Sequence, residues 1–406
     1  MIPKLSDITP IQSQYLAFIE RLRSDGFTGD TNPDYANRIV LATDNSIYQV
    51  LPQGVIYPKS VDDIQQVVRL AHEDEFHNIV LSPRGGGTGT NGQSLTDGLI
   101  VDLSKHMNKV LEINAEEGWA RVQTGVVKDQ LNKAVKAHGL FFAPELSTSN
   151  RATVGGMINT DASGQGSVMY GKTRDHVLSL NTVLLDGTLL ESGPISDEQL
   201  ASEKQREDYA GHIHRVVDDA FNHNKEKIKD IFPELNRCLT GYDLAHIRTD
   251  NNEFNLNSVL CGSEGTLGFI VEAKVNLLKI PTFATLVNIR YDSFEGSLRH
   301  AKTLLNAAPT SIETVDSRVL GLAKEDIIWH SVSEFFPEKA GEDIQGVNLV
   351  EYTGNDQTEV EDRIKVLTDL LDAALAEPDS KVLGYTLAQG HANVQKIWAM
   401  RKKSVG

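Results

Sequence analysis

The stretch SPRGGGTGTNGQS, residues 82–94, holds five glycines and few side chains able to do chemistry. Bare backbone of this kind can turn successive N–H groups toward an anion, and glycine lets the chain approach it closely. Three phosphate-binding arrangements compete. A P-loop ends in Gly-Lys-Ser/Thr, because the lysine reaches the outer phosphates. No lysine lies between Ile79 and Leu103, so that arrangement fails. Gly87, Gly89 and Gly92 spell G-x-G-x-x-G, but a helix should begin inside that motif. The next residues, QSLTDGLIVDL, are too few and too rich in turn formers to make that helix. The flanking runs NIVL (78–81) and DGLIVDL (97–103) read as short buried strands. They predict a strand–loop–strand cradle around a pyrophosphate.

Two more segments repeat the theme. STSNRATVGGMINTDASGQGSVMYGKTRD (147–175) is dominated by small residues, and its TVGGMINT part predicts a short helix with its N-terminus toward a phosphate. GSEGTLGFI (262–270) again sets glycines beside a strand. Three such segments predict a long, flat ligand threaded through backbone. Arg401, in IWAMR (397–401), offers a planar fork that matches a carboxylate with two bonds. Its other reading is a solvated arginine in a basic run with Lys402 and Lys403. The histidines of HIH (212–214) sit in a charged helix and are expected at the surface. Neither they nor His391 in GHAN (390–393) has a carboxylate or second histidine at zinc-site spacing.

The elements that must position these residues can be read from periodicity and caps. Ile11, Tyr15, Phe18, Ile19 and Leu22 mark one face of a helix over 10–25. Ser60 caps a helix to His72, with Asp62 and Asp63 in its first turn. Strands are expected near 99–103, 109–113 and 119–124, a helix over 127–137, and a hairpin at Asp186-Gly187. The span 195–258 reads as polar and helical. Beyond Pro281 the pattern restarts: strand 284–291, helix 294–307, strand 311–316, helix 358–376. The boundaries read as an N-terminal helical segment 1–36, a ligand-binding domain 37–282 and an α+β unit 283–406. The last segment, NVQKIWAMRKKSVG, reads as a helix under way, so the chain is expected to be part of a longer protein.

Composition excludes several classes. The formal net charge of −17 argues against nucleic acid as the main partner. No run of about 18 apolar residues suggests a transmembrane helix, and the first residues lack the pattern of a secretory signal. Cys238 and Cys261 are too far apart for a CxxC redox pair, a zinc ribbon or an iron–sulfur site. A cytoplasmic setting, with peripheral membrane association still open, fits these features.

PRGGGTGTNGQS, TVGGMINTDASG, VLLDGT and GSEGTLGFIVEA, with TGYDL (240–244) and IWAMR, together resemble the FAD-binding p-cresol methylhydroxylase/vanillyl-alcohol oxidase superfamily. The resemblance is nearest its D-2-hydroxyacid dehydrogenase branch. ATDNSIYQVLPQGVIYPKSVDDI (42–64) is similar to long bacterial members that fuse the flavoprotein to an iron–sulfur region. The resemblance implies an α+β fold, with a two-subdomain FAD-binding domain followed by a partial substrate-binding cap domain. It implies that Pro83, Arg84, Gly85, Gly86, Gly87, Thr88, Gly89, Asn91 and Gly92 hold FAD, residues 84–92 at the pyrophosphate. Thr153, Gly155, Gly156, Asn159, Gly164, Glu264, Gly265, Gly268 and Ile270 would line the cofactor. Some members attach FAD through a histidine or cysteine near the first loop. None lies between Asn78 and Lys105, so FAD is expected to be non-covalent.

By the same resemblance Arg401 contacts the substrate carboxylate. The implied reaction is oxidation of a D-2-hydroxy acid, D-2-hydroxyglutarate first and D-lactate next, by hydride transfer to flavin N5. Electrons would leave to an iron–sulfur region or another acceptor outside this chain. The family's proton acceptor and divalent metal belong to a later histidine-rich motif, expected beyond residue 406, so little turnover is expected of this chain alone. Another oxidase of the same fold, acting on an alcohol or a sugar, and a non-catalytic nucleotide-binding module are the alternatives.

Overall fold

The computed structural model describes residues 10–235, 241–339 and 341–403. The chain forms two compact units, Met1–Ser163 with Lys172–Lys279, and Gly164–Gly171 with Ile280–Gly406.

The first unit contains two main sheets. One has four strands in the order Asp30–Asn32, Gly54–Tyr57, Leu99–Asp102, Leu81–Arg84. The last two pair in parallel, Leu81 opposite Leu99 and Arg84 opposite Asp102. No helix separates them, as the sequence predicted, but the strand expected at 78–81 is displaced to 81–84. Pairing to Leu99–Asp102 sets that register, and Val80 is left half exposed at 49%. Ser60 caps the Val61–His72 helix by accepting from the Asp63 N–H at 3.1 Å. The stripe Ile64, Val67 and Val68 buries against Phe18, Ile19 and Leu22 of the Ser13–Ser24 helix. Burying a side chain of this size contributes about 1.5–3 kcal/mol, so the stripe, not propensity, sets the helix's orientation.

The second sheet is antiparallel, in the order Val110–Asn114, Trp119–Gln123, Phe269–Asn276, Val177–Val183, Leu189–Ser192. Asp186 and Gly187 turn its last hairpin, with Gly187 at φ +83°, a left-handed conformation that favours glycine. Among the described residues, the polar span carries the helices Asp197–Gln205 and Tyr209–Ile231 and the start of the short helix Asn257–Leu260.

The second unit is built on an antiparallel sheet, Ser311–Asp316, Gly346–Gly354, Phe283–Tyr291, Val382–Gln389 in spatial order. The Phe294–Leu304 and Gln357–Leu375 helices cover one face, where Tyr291, Tyr352, Leu367 and Leu371 are buried. The Ser317–Glu325 and His391–Lys403 helices cover the other, with Leu286, Val347, Leu349, Ile397 and Met400. Phe283–Tyr291 is therefore buried along almost its whole length, its Thr285, Asn288 and Arg290 included, as expected of a strand covered on both faces. Among the described residues no helix is long and apolar enough to cross a membrane.

Candidate functional site

In the first unit the three glycine-rich segments line one cavity of about 360 Å³. The first contributes Pro83, Arg84, Gly85, Gly86, Gly87, Thr88 and Gly89, the second Thr153, Gly155, Gly156 and Asn159, the third Glu264, Gly265 and Ile270. Asn91, Gly92 and Gly268 lie outside this lining, and Gly164 belongs to the second unit. Thr90, inside the expected 84–92 span, also faces the cavity, as do Gln93, Ser94, Leu103, Thr124, Leu146, Thr160, Ala162, Ser163 and Phe269, which sequence reasoning had not named as site residues. The small and hydroxyl-bearing residues flanking each glycine run were the available signal.

The cradle is packed so closely that side chains are excluded from it. A Cβ on Gly85 would lie 2.1 Å from Thr153 Oγ1, and one on Gly86 2.2 Å from the Arg151 carbonyl oxygen. Thr153 caps the Val154–Asn159 helix, its Oγ1 accepting from the Gly156 N–H at 3.2 Å. This short helix is the one predicted within TVGGMINT.

Asn159 ties the second segment to the third. Its Nδ2 donates to the Gly155 carbonyl at 2.9 Å, and its Oδ1 accepts from the Gly265 N–H at 3.0 Å. Its own carbonyl accepts from the Glu264 N–H at 2.8 Å. Glu264 sits at φ +54°, a strained conformation for a residue with a Cβ. Burial pushes its carboxyl above the usual range, and a hydrogen bond from Gln93 partly offsets this.

Arg84 was expected within the phosphate-holding span. It lines the cavity, but its guanidinium is already engaged by backbone. Nη2 donates to the Thr43 carbonyl at 2.7 Å and Nη1 to that of Leu41 at 3.1 Å, and the residue is 7% exposed. It braces the loop, whose Gly87 carbonyl in turn accepts from the Asn45 N–H at 3.1 Å. Ser94 is held by Asp44 Oδ2 at 2.9 Å. The 41–45 segment is thus part of the cradle's support, a role without a local sequence signal.

A buried ion pair closes the second segment. Lys172 Nζ lies 2.5 Å from Asp161 Oδ2, and the side chains are 3% and 6% exposed. Asp161 Oδ1 also accepts from the Arg174 N–H at 2.9 Å, and Thr173 N–H donates to the Ala162 carbonyl at 3.0 Å. Cys261 is buried, and desolvation pushes its thiol up, reinforced by the nearby Asp161 charge. Cys261 is therefore expected to resist iodoacetamide in the native protein and to react on unfolding, as read by peptide mass spectrometry. Cys238 lies outside the described residues.

The histidine expectation needs one correction. His212 is exposed, but His214 is 4% exposed beside Phe254, its Nδ1 2.8 Å from the Ala210 carbonyl oxygen. Residues two apart on a helix point to different sides, so one of the pair faces the core. His391 is exposed, at the start of the last helix.

In the second unit Arg401 is not a freely solvated side chain. Its Nη2 donates to Glu313 Oε2 at 2.9 Å. One turn earlier, Trp398 Nε1 donates to Glu351 Oε1 at 3.2 Å. Lys403 lies 3.5 Å from Asp326.

The FAD binding domain family matches residues 52–193, and the C-terminal domain family of FAD linked oxidases matches residues 280–406. D-2-hydroxyglutarate dehydrogenase of Pseudomonas putida is 55% identical over 406 residues, and that of Escherichia coli 48% over 407. Each match takes in 100% of this chain and 40% of the relative, so the chain spans two fifths of their length. A D-lactate dehydrogenase of Anaerostipes hadrus is 24% identical over 354 residues, 86% of this chain and 61% of that protein. In fold the chain resembles alkyldihydroxyacetonephosphate synthase, with a TM-score of 0.66 at 19% identity, over 98% of this chain and 66% of that one. The chain thus carries a FAD binding domain followed by the C-terminal domain of FAD linked oxidases.

Proposed function

We propose that the cavity in the first unit holds FAD without a covalent link, and that the protein containing this chain oxidises D-2-hydroxyglutarate to the 2-oxo acid. The observation that carries the cofactor reading is the cradle itself. Three glycine-rich segments line one cavity, and a Cβ at Gly85 or Gly86 would overlap its wall. Gly85, Gly86 and Gly87 would hold the pyrophosphate, and Thr153, Gly155, Gly156, Asn159, Glu264, Gly265 and Ile270 would hold the rest. Bound FAD supplies the two-electron acceptor for the substrate's Cα–H. The match of the whole chain to two fifths of the D-2-hydroxyglutarate dehydrogenases supports the substrate, with D-lactate next.

In this reading residues 37–282 form the cofactor domain and 283–406 the substrate-side cap. Arg401 takes the substrate carboxylate through paired N–H donors, which fixes the orientation of the carbon bearing the hydroxyl. An acidic chain with two cysteines fits a cytoplasmic setting.

The purified protein is expected to show a flavin spectrum, with all of the chromophore entering the supernatant after acid precipitation. Colour kept in the pellet overturns the non-covalent reading, and a colourless protein that takes up no added FAD overturns the cofactor reading. In the whole protein that contains this chain, anaerobic mixing with D-2-hydroxyglutarate is expected to bleach the flavin band, while the L-enantiomer leaves it. Faster bleaching by D-lactate transfers the substrate assignment to it.

A further inference from the structure

Arg401 is anchored by one edge only, and its partner is the interesting residue. Along the Ser311–Asp316 strand side chains alternate between faces. Glu313 shares a face with Val315, which packs in the cluster containing Ile397 and Met400 of the last helix. Glu313 therefore stands under that helix, where Arg401 and Trp398 are three residues apart and project from one side. Each meets a carboxylate of the sheet, Arg401 that of Glu313 and Trp398 that of Glu351. Glu351 also accepts from Ser311 Oγ at 3.2 Å and Gln165 Nε2 at 2.9 Å. Glu313 has Arg401 as its one partner among the described residues.

Guanidinium carries five N–H donors in a fixed fork. Glu313 engages Nη2, and among the described residues Nε and Nη1 make no hydrogen bond. Both side chains are about a quarter exposed, 26% for Arg401 and 25% for Glu313. The free donors are accordingly open to an incoming carboxylate while the group is held from the sheet.

We propose that Glu313 is the positioning residue of the substrate clamp. It fixes the rotamer of Arg401 so that the unused donors meet a 2-hydroxy acid's carboxylate in register. The inference rests on the reading of Arg401 as the clamp. A merely competing carboxylate would have the opposite signature, because its removal would free Arg401 and tighten binding.

The test is calorimetric titration of D-2-hydroxyglutarate into the FAD-loaded full chain and its variants. Glu313→Gln, which keeps the shape and loses the charge, is expected to weaken binding roughly tenfold. Glu313→Asp is expected to recover part of that loss. Melting temperatures of both variants should stay near that of the parent, which separates positioning from a structural role. In an Arg401→Lys background, Glu313→Gln should have no further effect. Unchanged or tighter binding by Glu313→Gln overturns the positioning role while leaving the clamp. Unchanged binding by Arg401→Lys, or no binding by the parent, overturns the clamp and the inference with it.

Discussion

Gly86→Val is expected to weaken FAD binding by roughly 100-fold, equivalent to about 2.7 kcal/mol and within the usual range for overpacking. The Cβ would fall 2.2 Å from the Arg151 carbonyl oxygen and 3.0 Å from its carbon. Those are backbone atoms, so no side chain can swing aside, and either the glycine loop or the 151–152 segment must move. Ala152 lies beside Thr153, whose Oγ1 approaches the Gly85 site and caps the Val154–Asn159 helix. A shift of either segment therefore reaches two of the three walls of the cradle. Equilibrium dialysis with FAD measures the effect directly. Gly321→Ala is the matched control: it lies within the Ser317–Glu325 helix with nothing inside 4 Å of its added Cβ. That change is expected to leave FAD affinity intact and to add about 0.5–1 kcal/mol of stability through helix propensity. Native FAD affinity in Gly86→Val would mean that this loop is not the pyrophosphate cradle.

Lys172→Met is expected to destabilise the first unit by about 3–5 kcal/mol. The lysine is 3% exposed and bonded at 2.5 Å to an aspartate that is 6% exposed, so its loss strands a buried carboxylate. The Arg174 N–H still reaches Asp161 at 2.9 Å, which places the expected cost toward the lower end of the range. Asp161 has φ +44°, a conformation that asparagine tolerates well. The double change Asp161→Asn with Lys172→Met removes both charges and should recover much of the loss. Urea unfolding followed by flavin release reports on this unit alone, and the shift in midpoint gives the cost. A loss below about 1 kcal/mol in the single variant would mean that solvent reaches Asp161 and that the pair acts as a surface ion pair.

Much of the site was legible in the residue string because its demands are local. Close backbone approach and left-handed turns call for glycine at the position itself. Gly85, Gly86, Gly155 and Gly265 therefore announced three cavity-lining segments before any contact was known. The Ser60 cap and the Asp186-Gly187 hairpin obey the same kind of short-range rule. The face of Tyr15, Phe18, Ile19 and Leu22 announced its burial through helical period alone.

Other features depend on partners far along the chain, and no local rule encodes them. The resemblance placed Arg84 within the phosphate-holding span, and only the fold brought the carbonyls of Leu41 and Thr43 to its guanidinium. The strand expected at 78–81 moved to 81–84 because its register is set by pairing to Leu99–Asp102. His214 turned inward because Phe254 packs beside it. Arg401 could have been solvated, and the edge strand supplied Glu313 as its partner. By itself, then, the sequence determined where backbone must come close and which residue types could do chemistry. The tertiary structure decided which donors are already engaged and which are left for a ligand, since a hydrogen bond depends on distance in space and not on separation in the chain.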